Sequence, residues 1–335
     1  MIIDSIYERQ YHHPQHLNDK SFLVTGGSGF IGSNLVEYLL VHGAKKVRVL
    51  DNLANGYKEN ILPFLDHPSF EFIEGDITNF ETCKTALHGI DFVSHQAALG
   101  SVPRSLANPL ATHMANATGF LNMLWAAKEV GVERFVYASS SSVYGDSPEL
   151  PKREHVTGNP LSPYAVSKMS NELYAYTFSM HYGMKIIGLR YFNVFGPRQN
   201  PDNPYAAAIP LFMKALIKNQ PAFIYGDGEQ SRDFTFVENA VQANVRALFT
   251  EHKDAFNKVY NIAVGESISL NKLLVHLMHI TGNKITPVYK EERAGDVKNS
   301  LADISKAQAY LGYNPLVKVK EGLALTVPWF KQTFC

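Results

Sequence analysis

Short apolar runs alternate along the first half of the chain with longer stretches whose apolar residues recur at helical spacing. Ser21–Thr25, Val47–Leu50, Phe70–Glu74, Asp91–Ser94, Arg134–Ala138 and Lys185–Leu189 are compact and rich in β-branched and aromatic residues, the pattern of buried strands. Phe30–Val41, Glu81–Leu87, Pro109–Val130 and Tyr164–Tyr182 carry the helical period between them. This alternation predicts βαβ units with right-handed crossovers, and hence a doubly wound parallel sheet covered by helices on both faces. The predicted class is α/β.

After about Asn193 the pattern changes. Phe195–Pro204 is dense in Pro, Asn and Gly and reads as a loop. Helices are predicted near Ala206–Lys218, Glu238–Phe249, Leu270–Ile280 and Ile304–Leu311, with a turn at Gly226–Gly228. The expected organisation is an arm over 1–20, a dinucleotide-binding domain over 21–192, and a smaller mixed α/β lobe over 193–335, with room for the chain to cross between lobes. In the arm, Tyr7 and Tyr11 stand at i and i+4, which fits either one face of a docked helix or a loosely ordered segment.

Composition narrows the function classes. Hydrophobic residues make up 45% and charged residues 19%, so the chain is globular rather than disordered. The 31 basic and 31 acidic residues balance, which gives no support to nucleic-acid binding. No apolar run approaches the ~20 residues of a membrane span. The charged, His-rich first residues do not read as a secretory signal. Cys83 and Cys335 are too few and too far apart for a disulfide framework, so a cytoplasmic protein with free thiols is expected. The 13 histidines lack metal-ligand spacing, and no metal site is expected.

Two constellations carry chemistry. Thr25-Gly26-Gly27-Ser28-Gly29-Phe30-Ile31-Gly32 joins the first predicted strand to the first predicted helix. One glycine permits the tight turn, one lets a pyrophosphate approach the backbone, and one allows close helix–strand packing, with the phosphates at a helix N-terminus. Asp51, at the end of the second strand, suits the ribose hydroxyls of NAD and would repel the extra phosphate of NADP. The predicted sheet is therefore Rossmann-type. Asp76 reads either as an adenine-edge contact or as a helix N-cap. Gln96-Ala97-Ala98 ends the fourth strand with small residues that let a ribose and nicotinamide pass.

The second constellation is Tyr164-Ala165-Val166-Ser167-Lys168, which puts Tyr and Lys on one helix face, together with Ser139-Ser140-Ser141-Ser142 at the end of the fifth strand. A phenol with a pKa near 10 needs a neighbouring positive charge to act as a base at neutral pH. Lys168 supplies that charge, and a serine hydroxyl relays or orients the substrate proton.

In order and spacing, TGGSGFIG with Asp51, SSSSVYG, YAVSK and Leu189–Pro197 (LRYFNVFGP) resemble the extended short-chain dehydrogenase/reductase family, from Ser21 to Phe330. The resemblance implies a tightly held NAD, a nucleotide-diphosphate-sugar substrate and a homodimer formed through a helix bundle. The implied cofactor contacts are Gly26, Gly29, Phe30, Ile31, Gly32, Asp51, Asn52, Gly56, Asp76, Ile77, Gln96, Ala97, Asn116, Tyr164, Lys168 and Val194.

Members that eliminate water carry Thr-Asp-Glu before Val-Tyr-Gly, and those that decarboxylate UDP-glucuronate carry a Glu there. Here the positions are Ser140, Ser141 and Ser142. That version is similar to the UDP-hexose 4-epimerases, in which residues matching Ser140 and Tyr164 handle the 4-hydroxyl proton and one matching Lys168 holds the nicotinamide ribose. The same resemblance places Ser101, Ser141, Ser142, Asn193, Ala207, Ala208 and Tyr225 at the substrate. It places Arg232 and Arg293 at the diphosphate, where guanidinium forks suit phosphate oxygens, and Asp296 at the uridine ribose. Ser300 stands where hexose-restricted relatives carry a bulky aromatic. With the long arm and the NPLSPYAVSK and YAAAIP stretches, this implies a UDP-N-acetylglucosamine/UDP-N-acetylgalactosamine 4-epimerase, with a UDP-N-acetylhexosamine as its partner and no nucleic-acid or membrane partner. UDP-glucose and UDP-glucuronate epimerases, a net dehydrogenase and a non-catalytic sugar-nucleotide-binding protein stay open as alternatives.

Overall fold

The computed structural model describes residues 5–12, 17–200, 207–292 and 298–334. Six strands arise where the pattern predicts them: β1 (Ser21–Thr25), β2 (Lys46–Asp51), β3 (Phe70–Glu74), β4 (Phe92–His95), β5 (Arg134–Ser140) and β6 (Ile186–Tyr191). Short strands follow, β7 (Val194–Phe195), β8 (Phe223–Tyr225), β9 (Ser231–Asp233) and β10 (Thr235–Phe236), then β11 (Lys258–Ile262), β12 (Ser267–Ser269) and β13 (Val288–Lys290). The main sheet has seven strands in the order β11-β6-β5-β4-β1-β2-β3, all parallel. Its order reverses between β1 and β4, which opens a crevice beyond their carboxyl ends, the usual ligand seat of such sheets.

Helices cover both faces. Phe22, Val24, Val136 and Leu189 pack with helices Phe30–Val41 and Val237–Phe249 on one side. On the other, Leu23, Val93, Phe135 and Tyr137 pack with helices Phe80–Leu87, Gly119–Val130 and Pro163–Tyr182. A separate core forms around Phe212, Leu216, Phe236, Leu273, Leu277 and Phe330, which draws together helices Ala208–Ile217, Leu270–Thr281 and Val319–Phe334. The chain crosses back after position 193: helix 237–249 and β11 return to the main sheet before the rest of the small lobe is made. Among the described residues, no helix is long and apolar enough to cross a membrane.

Three expectations are corrected. Residues 109–130 do not form one helix, because helices Pro109–His113 and Gly119–Val130 flank a π-helical turn at Met114–Thr118. The widened turn coincides with Asn116, whose amide is bonded to the backbone of another loop. Second, residues 5–12 of the arm are docked but not helical. Tyr7 and Tyr11 are buried to 1% and 4% exposure on an extended path across helices 30–41 and 237–249. The Tyr7 hydroxyl donates to Asn34 Oδ1 at 2.6 Å, the Tyr11 hydroxyl to Glu238 Oε1 at 2.5 Å, and the Tyr11 ring stacks on Tyr38. Their spacing thus reports two contact points of an extended chain. Third, Val319–Phe334 is a helix that the pattern did not reveal; Pro328 inside it interrupts the signal. Cys83 is buried, with its thiol pushed up to about 12 by burial; Cys335 lies outside the described residues.

Candidate active site

A cleft of about 570 Å³ runs along the carboxyl ends of β1, β2, β4 and β5. At one end lies the glycine turn. Gly26 has φ +67°, and a Cβ there would stand 2.7 Å from the Ala97 backbone. A Cβ on Gly32 would meet the Gly26 carbonyl oxygen at 2.2 Å, so helix 30–41 seats this closely only with glycine. On Gly29 a Cβ would touch only the Gly26 oxygen, at 3.1 Å, and otherwise enter the cleft. Gly29 caps the helix without a side-chain bond, and no acid sits in the first turn. Free N–H groups and the positive end of the helix dipole therefore face the cleft.

Asp51 closes this end. Its Oδ2 accepts the Ser28 N–H at 2.9 Å and its Oδ1 the Leu53 N–H at 2.8 Å. Burial raises its carboxyl above the usual range, opposed by those two N–H groups. Gly56 approaches so closely that a Cβ would lie 3.0 Å from Asp51 Oδ2. Asp76 accepts from the Asn52 amide at 2.7 Å and the Thr78 N–H at 2.7 Å; although burial opposes this, the bonds hold its carboxyl below the usual range. Asn79, not Asp76, caps helix 80–87, so the capping alternative for Asp76 falls away. A cradle that side chains would fill, a helix N-terminus free of acid and a carboxylate fixed beyond it fit a dinucleotide.

The other end holds the Ser, Tyr and Lys. Lys168 Nζ donates to the Ala138 carbonyl at 2.8 Å and lies 6.0 Å from the centre of the Tyr164 ring. Burial pulls the ammonium down to about 8, and the charge of Glu172 works against that fall. Burial raises the Tyr164 phenol, and the facing Ser140 hydroxyl works the other way. Ser140 Oγ accepts the Ser142 N–H at 3.1 Å and the Ser142 hydroxyl at 3.0 Å. With those bonds received, the Ser140 proton is left to serve Tyr164 or a ligand.

Neighbouring groups stiffen this end. The Tyr191 hydroxyl donates to Gln96 Oε1 at 3.2 Å and receives the Asn244 amide at 2.7 Å. His95 is buried under the site, bonded to Thr25 at 2.9 Å; burial first, and Lys168 second, hold it down to about 3, so it stays neutral. Ser101 lines the cleft at φ +100°, capping the short helix Val102–Ala107. Asn193 gives its amide to the Asp233 carbonyl at 2.9 Å.

Of the residues expected from the sequence, Phe30, Ile31, Ile77, Gln96, Ala97, Ser141, Val194 and Ala207 also line this cleft. Others do not. Asn116 sits behind the wall, binding both the N–H and the carbonyl of Leu99, at 2.7 and 3.1 Å. Ser142 stands behind Ser140, and Ala208 packs onto the small-lobe core. Tyr225, Arg232 and Ser300 lie in the small lobe outside the cleft lining: Arg232 Nη1 donates to the Ser231 carbonyl at 3.0 Å, and the Ser300 N–H to the same oxygen at 3.0 Å. Arg293 and Asp296 lie outside the described residues. Arg104, Tyr191 and Arg198 line the cleft without having been singled out. Arg198, just after the Gly-Pro of the long loop, carried a legible signal, and its pairing with Glu37 did not.

Residues 22–263 match the model of the NAD dependent epimerase/dehydratase family. A solved UDP-N-acetylglucosamine 4-epimerase from Methanobrevibacter ruminantium, in complex with UDP-N-acetylmuramic acid, superposes with a TM-score of 0.89 at 40% identity, over 95% of this chain and 100% of that one. A UDP-glucuronic acid 4-epimerase from Bacillus cereus, with UDP-glucuronic acid and NAD, gives 0.86 at 33% identity, over 93% and 99%. A putative UDP-glucose 4-epimerase of Methanocaldococcus jannaschii is 37% identical over 92% of this chain and 98% of its own length.

Proposed function

Since the chain belongs to the NAD-dependent epimerase/dehydratase family, we propose that it is a 4-epimerase of UDP-sugars, acting on the UDP-N-acetylglucosamine/UDP-N-acetylgalactosamine pair. The observation that carries the reaction class is the placing of acids. Among the described residues lining the cleft, the only carboxylates are Asp51 and Asp76, both at the glycine-turn end. The end with Tyr164 and Lys168 is lined by serine hydroxyls, so among the described residues no carboxyl group stands there for elimination at carbons 5 and 6 or for the glutamate-assisted decarboxylation.

The turn Gly26–Gly32, Asp51, Asp76 and Lys168 would hold the cofactor. Held there, NAD would supply a hydride acceptor and donor for carbon 4, and the positive charge of its oxidised ring would favour phenolate. Tyr164 accepts the proton of the 4-hydroxyl as the carbonyl forms, and returns it to the same oxygen after the 4-keto sugar has presented its other face. Ser140 bridges sugar oxygen and phenol. Lys168 favours the ionised Tyr164 by its charge.

Two features support the acetylated substrate. Ser300 is small, and although it lies outside the described cleft lining, Ala302, two residues on, packs with Val143, Tyr144 and Phe192 beside the strand end that carries the serines. The Methanobrevibacter relative is named for that sugar. Other relatives are named for UDP-glucose and UDP-glucuronate, so the test must separate all three. Purified protein is offered each UDP-sugar without added NAD, and products are identified by NMR. Conversion of UDP-N-acetylglucosamine with little accumulation of NADH is expected; turnover of UDP-glucose or UDP-glucuronate alone would overturn the specificity, and stoichiometric NADH the epimerase reading.

An apolar row on helix 163–182, with Val166, Leu173, Tyr176 and Met180 each at least half exposed, supports assembly as a homodimer.

A further inference from the structure

Helix 163–182 reaches the end of β5 at three successive turns. Tyr164 meets Ser140, Lys168 Nζ meets the Ala138 carbonyl at 2.8 Å, and Glu172 Oε1 accepts the Ser139 hydroxyl at 2.5 Å. Positions 164, 168 and 172 thus engage three consecutive residues of the strand. Glu172 is further held by Arg190 on β6, whose Nε and Nη2 donate at 2.8 and 2.7 Å, a bidentate pair with side chains 4% and 13% exposed. In the strand register Ser139 lies directly opposite Arg190. One carboxylate therefore ties the strand bearing Ser140, the neighbouring strand and the helix bearing Tyr164 and Lys168.

From this geometry we infer that Glu172 is a positioning residue for the Tyr164–Lys168 pair, setting Ser140 against Tyr164 through Ser139 and standing one helical turn from Lys168 on the same face. The inference rests on the reading of Tyr164 as the group that moves the 4-hydroxyl proton.

Other charges face these groups. Lys168 has Glu172 on its own helix and His95 from β4, which is neutral. Glu172 has Arg190 from β6, Tyr137 from β5 and Lys306 from helix Ser305–Leu311, and Lys258 of β11 lines the same small cavity as Glu172 and Lys306. Arg190 also lies 4.9 Å from the centre of the Tyr144 ring. Of these only Glu172 opposes the loss of charge on Lys168.

The test is the pH profile of kcat for the NAD-loaded protein. In Glu172→Gln the carboxylate is gone, so Lys168 should lose its proton more easily, and the alkaline limb should move to lower pH by about one unit. KM for the UDP-sugar should stay within about twofold. Ser139→Ala removes the strand tie and keeps the charge, so kcat should fall severalfold with the limb unmoved. Should Glu172→Gln strand Arg190 and fail to fold, Glu172→Gln with Arg190→Met removes both charges and carries the same expectation. An unmoved limb in whichever of these folds, with kcat falling only in step with Tm, would make Glu172 a brace and overturn the inference. Undiminished turnover in Tyr164→Phe would instead overturn the reading on which it rests.

Discussion

On the proposed reading Tyr164, Ser140 and Lys168 divide the proton work, and each change should then leave a distinct signature. Tyr164→Phe removes one oxygen, so turnover should fall by about 10²-fold or more while NAD content stays normal by release on denaturation. Lys168, held down to about 8, must be charged to stabilise phenolate. Its charge is present below that value and lost above it, so kcat should decline as pH rises through about 8, read from a rate profile under saturating substrate. For specificity, Ser300→Tyr would fill the space beside Ser231 with a ring. A steric clash of ~1–3 kcal/mol corresponds to roughly tenfold to more than a hundredfold in the kcat/KM ratio of acetylated to plain UDP-sugar. An unchanged ratio would remove Ser300 from the sugar pocket. At this scale placement was legible wherever residue type and spacing decide it, as with Tyr164 and Lys168, which stand on one helix and line the cleft. It was not legible for Glu172, which stands at the same helical interval but is fixed by Arg190 of β6 and by Ser139 of β5, partners that only the fold brings to it.

At the scale of elements, the glycine turn was readable because its constraint is local: Gly32→Ala would press a methyl group against a carbonyl 2.2 Å away. Purified Gly32→Ala should carry far less bound NAD than the unchanged protein, by absorbance after denaturation. The broken helix at Met114–Thr118 was not readable, since its break coincides with Asn116 reaching Leu99 on another loop. Helix 163–182 serves two surfaces. One side carries Tyr164, Lys168 and Glu172, and the other exposes Leu173, Tyr176 and Met180. Leu173→Lys with Met180→Lys should yield monomers in sedimentation experiments if this face pairs two copies; an unchanged sedimentation coefficient would place the contact elsewhere.

For the whole molecule, the arm braces the cleft from outside. Tyr7 bonds Asn34, and Asn34 donates to the Pro197 carbonyl at 3.2 Å, in the loop that contributes Arg198 and Gln199 to the cleft wall. Tyr7→Phe leaves Asn34 Oδ1 without its donor, a loss of about 1–3 kcal/mol that should lower Tm by several degrees. The strands of the main sheet up to β6 were legible, because buried parallel strands are short continuous apolar runs. β11 was not, since KVYNI carries a Lys and an Asn, and the Asn is buried only through a partner elsewhere, Asn261 taking the Tyr144 hydroxyl at 2.6 Å.

The lateness of β11 has a consequence for biosynthesis. Its partner β6 emerges first, and residues 192–257 must be made before the edge can close. Until then β6 presents open backbone groups, and Val136, Ile187 and Leu189 lack the cover of helix 237–249. A nascent chain stalled near residue 200 is therefore a sticky intermediate that calls for chaperone protection, and the sheet is completed only once the ribosome has passed β11.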